Sequence, residues 1–138
     1  MPNDNYGIYR LQQRLAKLPK AVKQAAYAET MKAAEELAAK MKALAPVDSG
    51  DLRDSIAITP GGQPTPPHSQ PGGSHIVPEN VVAITAGDTD VRYAHLVEYG
   101  TEKSEAQPFF WPAVRLGRKK AAARIKRGMR KAIKETMT

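Results

Sequence analysis

The nineteen residues "PGGQPTPPHSQPGGSHIVP", 60 to 78, constrain the fold more than any other stretch, because six are proline and four are glycine. Proline removes a backbone donor and fixes φ, while glycine loses the most freedom on ordering, so no regular element runs through such a segment. The composition predicts a long, flexible loop that cannot sustain a packed element and prefers extended conformers suited to reaching a neighbouring subunit. An exposed insertion with no role in the monomer fits it equally well. In either case the core must be built from the residues that flank the loop.

Residues 8 to 45 upstream read as helix. Leu11, Leu15, Leu18 and Val22 recur at helical spacing, and Leu37, Met41 and Leu44 resume the pattern after an alanine-rich middle. Pro19 suits a first helical turn, which predicts a short helix to about Leu18 and a longer one from about Pro19 to Ala45. Pro46 forces the stop, since it disfavours helical geometry in the residue before it. The alanines give strong helix propensity and a thin surface that lets a neighbour approach closely.

In "APVDSGDLRDSIAIT", Ser49 is placed to cap a helical turn through Asp51 and Leu52, with Gly50 relieving a tight backbone. Residues 55 to 59 then alternate as a strand, and "VVAITA", 81 to 86, is a β-branched run that reads as a second. "GDTD" is a turn, after which "VRYA" continues as a third strand or its end. Tyr93, Leu96 and Val97 share a helical face, which predicts a short helix from Ala94 to Tyr99 ended by Gly100. A last helix follows Pro112 to about Glu135, with Ala113, Leu116, Ala123, Ile125, Met129, Ala132 and Ile133 as an imperfect apolar stripe. The scheme is α+β: long N-terminal helices, a small antiparallel β-sheet and a C-terminal basic helix.

At 138 residues the chain is expected to form a single domain spanning 1–138 with a modest core. Aromatics are only 6 %, so Ala, Val, Leu and Ile must fill that core. There is no cysteine, hence no disulfide framework and no thiolate metal site. No window has the apolar length of a membrane span, and "MPNDNYGIYR" has no apolar run of signal-peptide type. These features suggest a protein kept in the cytosol or assembled there into something larger.

Charge is distributed unevenly. From Trp111 to Thr138 ten Lys or Arg stand against Glu135 alone; that +9 within a chain of net +7 leaves −2 for residues 1–110. Arg118, Lys119, Lys120, Arg124, Lys126, Arg127, Arg130 and Lys131 are the candidate contacts to DNA or to an acidic partner. Such a helix neutralises phosphates, but without aromatics or Asn/Gln its binding would be non-specific. A solubilising face, or docking on an acidic protein, accounts for the charge equally well.

Catalytic chemistry finds little support. His95 and Glu98 are three apart, but a lone H-x-x-E is a weak signal, and His68 and His75 lie in the proline-rich loop. Asp48, Asp51 and Asp54 lack the glycine and terminal glutamate of a calcium loop, and no phosphate-cradling glycine motif is present. No catalytic, cofactor or metal residues are assigned. The aromatic run is more informative: Phe109, Phe110 and Trp111 sit between two prolines, just beyond Tyr93 and Tyr99. A corner that wedges the last helix onto the body explains it better than a ligand pocket, with a subunit interface as the functional variant. Tyr93, Glu98, Tyr99, Phe109, Phe110 and Trp111 are the candidate interface residues, Glu98 either pairing with a base, capping a turn or standing in solvent.

Three blocks in order, "LAPVDSGDLRDSI" (44–56), "VRYAHLVEYGT" (91–101) and "QPFFWPA" (107–113), carry a family resemblance. The chain resembles the tail-completion, or head–tail joining, proteins of long-tailed double-stranded DNA phages. These form the HK-ninety-seven-type gene-product-ten-like group, related to the minor tail protein Z of phage lambda. Two departures are Trp111, where the family pattern has Arg, and the length of the 60–78 loop. The resemblance implies a structural virion protein, not an enzyme, that assembles as a ring at the neck, with six copies expected to match the tail tube. Its partners would be the tail tube and the head connector proteins, with non-specific contact to duplex DNA and no membrane. It would wait in the host cytoplasm before assembly. The runner-up reading is a basic DNA-binding protein acting in packaging.

Overall fold

The computed structural model describes residues 19–46 and 50–136. The expected helix ending near Leu18, and the roles considered for Asp48 and Ser49, lie outside the described residues.

The long helix α1 runs Lys20–Leu44. Its end follows from the sequence: Ala45 is extended (ψ 136°) ahead of Pro46, and its N–H closes the last turn on Met41 O. A short helix, α2, covers Asp51–Asp54 behind Gly50, whose φ of 85° is a left-handed conformation. Two strands follow, β1 (Ala57–Thr59) and β2 (Ala83–Thr85), antiparallel with Ala57 opposite Thr85 and Thr59 opposite Ala83. The strand expected from residue 55 starts later, because Ser55 belongs to the end of α2. Its hydroxyl donates to Leu52 O (2.6 Å) and accepts from Gly87 N–H (3.0 Å). Helix α3 covers Ala94–Tyr99, and α4 covers Phe110–Thr136.

No third strand forms at "VRYA" among the described residues. Asp88 Oδ1 accepts the N–H groups of both Asp90 and Val91 at 2.9 Å, which curls the chain and leads into α3 instead. The sheet is therefore two-stranded.

Residues 60–78 also depart from expectation. Pro64 bridges Ile76 and Gln70 bridges Ala86 in antiparallel fashion, while Thr65, Ser69 and Val77 are buried. Thr65 holds the turn together: its N–H donates to His75 O (2.9 Å), and its hydroxyl accepts from His75 N–H (2.9 Å). Gly61 N–H reaches Tyr27 Oη on α1 at 2.9 Å. Proline and glycine forbid a regular ladder, but small hydroxyl side chains satisfy the backbone well enough for the segment to pack.

α1 and α4 lie antiparallel, with Gly117 of α4 beside Leu37 and Gly128 beside Glu29. At the end where α4 begins, Ala38, Met41 and Ala45 of α1 join Leu52, Ile56, Ala86, Val91, Ala94, Phe109, Phe110 and Ala113 in one core. No helix among the described residues is long and apolar enough to cross a membrane.

The α4 stripe differs from the one expected. Ala113 and Ala132 are buried, but Leu116 is 72 % exposed and Ala123 is exposed. The contact seam runs instead through Phe110, Gly117, Ala121, Gly128 and Ala132. A Cβ on Gly117 would stand 2.5 Å from Leu37 Cδ2, and one on Gly128 would overlap the Glu29 side chain. The helices approach through the absence of side chains, which counting apolar residues does not detect.

Candidate functional site

The segment that joins α3 to α4 builds the site. Gly100 ends α3 at φ 79°, and a Cβ there would meet Ala106 N at 2.8 Å, so only glycine fits the reversal. Thr101 and Ser104 close a tight loop, Thr101 N–H donating to Ser104 O (2.9 Å). Gln107 N–H then donates to Val97 O (2.8 Å), which lays residues 107–111 beside α3.

This places Glu98 under the start of α4. Its buried carboxylate accepts from Phe109 N–H (2.8 Å to Oε2), Phe110 N–H (3.1 Å to Oε2) and Trp111 N–H (2.9 Å to Oε1). A helix leaves its first four N–H groups without partners inside the helix. Here three are taken by one carboxylate and the fourth position is Pro112, which has no N–H. The negative charge also meets the positive end of the helix dipole. Of the three roles expected for Glu98, the structure shows capping. Both oxygens are committed to these amides, and the structure records no hydrogen bond between Glu98 and His95, which is exposed on the same short helix.

The aromatics divide into two sets. Phe109 and Phe110 are buried, edge-to-face with centroids 6.5 Å apart, and act as the wedge that seats α4. Trp111 packs edge-on against Phe110 at 5.1 Å but remains 39 % exposed, and its indole N–H donates to Tyr99 Oη (2.8 Å). Tyr93 and Tyr99 are 40 % and 68 % exposed. Leu96, singled out only as part of a helical face, is 45 % exposed between them. Tyr93, at the N-cap of α3, and Leu96 and Tyr99 within it recur every third residue, while Ala94 and Glu98 face inward. Behind this surface lies a hollow of about 70 Å³, lined by His95, Glu98, Tyr99, Phe109, Phe110, Trp111 and the Gln70–Pro71 turn. That is well below the roughly 300 Å³ at which ligand sites begin.

Seven of the eight candidate cations on α4 (Arg118, Lys119, Lys120, Lys126, Arg127, Arg130 and Lys131) are exposed. Arg124 is the exception. It turns toward α1 and pairs with Glu36 (2.7 Å) and Glu29 (3.6 Å) with 30 % of its side chain exposed. The interface candidates separate likewise: Glu98, Phe109 and Phe110 are internal, while Tyr93, Tyr99 and Trp111 reach solvent. Sequence reasoning missed the glycine seam. Its one legible signal is the eleven-residue spacing of Phe110, Ala121 and Ala132 and of Gly117 and Gly128, three turns of a straight helix.

Neither the curated proteins nor the solved structures hold a match to the chain. Residues 10–100 match the family described as "Bacteriophage HK97-gp10, putative tail-component". That range takes in the blocks at 44–56 and nearly all of 91–101, and it ends before the aromatic block at 107–113 and before α4. The matched region spans about two thirds of the sequence, and the chain belongs to the HK97-gp10-like family of phage tail components.

Proposed function

We propose that this tail component acts at the neck of a long-tailed double-stranded DNA phage, where copies of it close into a ring that completes the tail and joins it to the head. Family membership gives the structural role in the tail and the virion location. The observation that carries the finer reading is the row of Tyr93, Leu96, Tyr99 and Trp111, large apolar side chains left in solvent on a rigid, internally capped corner. Contiguous exposed apolar surface of this kind marks an interaction site on a small protein. Tyr and Trp are the residue types enriched in such contacts. A neighbouring copy meeting this row with a different part of its own surface makes a heterologous contact, the kind that closes rings. On this reading residues 60–78, whose Gln70–Pro71 turn lines the hollow behind the row, take part in the contact.

Light scattering on the purified protein, alone and with tail tubes, tests the reading. The expected result is a closed oligomer on tails, lost in a Leu96→Glu, Tyr99→Glu double variant that keeps its helical signal. A protein that ignores tails, or a double variant that still assembles on them, overturns it. The first outcome together with tight duplex binding would favour a DNA-binding role in packaging instead.

A further inference from the structure

The inner and outer faces of α4 are made of different chemistry. The inner face is Gly, Ala and the Arg124 pair with α1, so cations on the rest of the helix have only solvent to face. Lys119, Lys126, Arg127, Arg130, Lys131 and Lys134 are all exposed. At 100° per residue they span roughly 140° of the circumference, from the side opposite the seam round to one flank of it, over about 22 Å of helix length. Among the described residues none of these six is held in an ion pair with an acid.

We propose that the outer face of α4 is a sequence-independent contact surface for the phosphate backbone of duplex DNA. Charge complementarity supplies the attraction, since cations arrayed over this length and arc match the closely spaced phosphates of a duplex. Two absences in the sequence decide between partners. No Asn, Gln or aromatic residue occurs after Trp111, so nothing on this face reads base edges. A protein partner would need a cluster of large apolar anchors in a core depleted of lysine, and this side of the helix offers only Leu116 near one end and Ile133 near the other, about 25 Å apart at 1.5 Å per residue, with charges and alanine between them. The proposal concerns α4 alone and stands whether or not copies of the chain close into a ring.

The test is anisotropy of a labelled mixed-sequence duplex of about 30 base pairs titrated with the full chain from 50 to 200 mM KCl. With about four phosphates neutralised, affinity falls on the order of 10²-fold across that range. A Lys119→Ala, Lys126→Ala, Arg130→Ala variant lowers the log–log salt slope by about three, one per cation removed. Should that variant lose helicity, Lys119→Gln alone carries the same test with a slope change of about one. The Leu96→Glu, Tyr99→Glu variant is expected to bind duplex as the parent does, which separates failure here from failure of ring assembly. The proposal is overturned by no binding at 50 mM KCl, by a slope unchanged in the cation variants, or by a strong preference among duplex sequences. Displacement of the duplex by polyglutamate as readily as by unlabelled duplex overturns it too, in favour of an acidic protein partner.

Discussion

The first turn of α4 and the remainder of the same helix are fastened by opposite means. The first turn is gripped by bulk and charge: two buried phenylalanines and a carboxylate that collects three amide protons. The next six turns lie on α1 through glycine and alanine, with one arginine reaching across. Where the contact is made by large groups, its stability resides in a few residues and is lost when one is removed. Where it is made by small groups, stability resides in the fit of α1 side chains such as Leu37 and Glu29 into the space over Gly117 and Gly128, and is lost when that space is filled.

Deletion at the corner should therefore be the most damaging single change. Glu98→Ala leaves three amides at a buried helix start without an acceptor, at about 1–3 kcal/mol for each such group before water relieves part of it. A net loss of about 3–4 kcal/mol in denaturant unfolding is expected, and a loss below about 1 kcal/mol would show that the cap contributes little. Addition on the seam comes next. Gly128→Val forces the Glu29 side chain and α1 aside and should cost about 1–3 kcal/mol, the range for overpacking. Gly117→Ala is the sharper probe, because its obstacle is the mobile end of Leu37 and alanine gains about 1 kcal/mol of helix propensity. Urea midpoints for that variant should stay close to the parent. A large drop would mean that the seam tolerates no side chain anywhere. Arg124→Ala should cost only about 0.5–1 kcal/mol, since its partners are in reach of water, and 0.5 M salt should shrink the difference further. Smallest of all, Tyr99→Phe removes an exposed hydrogen bond to Trp111 and should shift stability by less than about 0.5 kcal/mol, readable as a change in tryptophan fluorescence rather than in the midpoint.

The same contrast explains what was legible in the sequence. Helix α1 and its end before Pro46, α3 and its stop at Gly100, and the two β-branched strands follow local rules of spacing and punctuation, and each appears close to its expected place. The wedge of Phe109 and Phe110 was legible because large aromatics between prolines have few uses. Glu98 was recognised as significant, but its role depends on residues 107–111 folding back beside α3, a long-range fact with no local signature. The glycine seam was hidden because Gly117 and Gly128 score as interruptions in a helix rather than as its contact face. Thr65, Ser69 and Val77 were hidden by their proline-rich surroundings, where composition argued for solvent and hydroxyl pairing supplied order. Among the candidate interface residues, residue type alone could not divide Tyr99 and Trp111, which face out, from Phe109 and Phe110, which do not.

The alanine surface of α1 has a further consequence, in the order in which the chain is made. α1 is complete by Leu44, while α4 ends near Thr136. At about 5–20 residues per second the helix that covers α1 emerges about 5–20 s after it. Throughout that interval the side of α1 destined for α4 shows alanine methyl groups, among them Ala26 and Ala33, interspersed with the Glu29 and Glu36 carboxylates and a single leucine, Leu37. A leucine seam would present a sticky surface to every other nascent chain and folding intermediate nearby. A seam of methyl groups and carboxylates is quiet until the helix that complements it arrives.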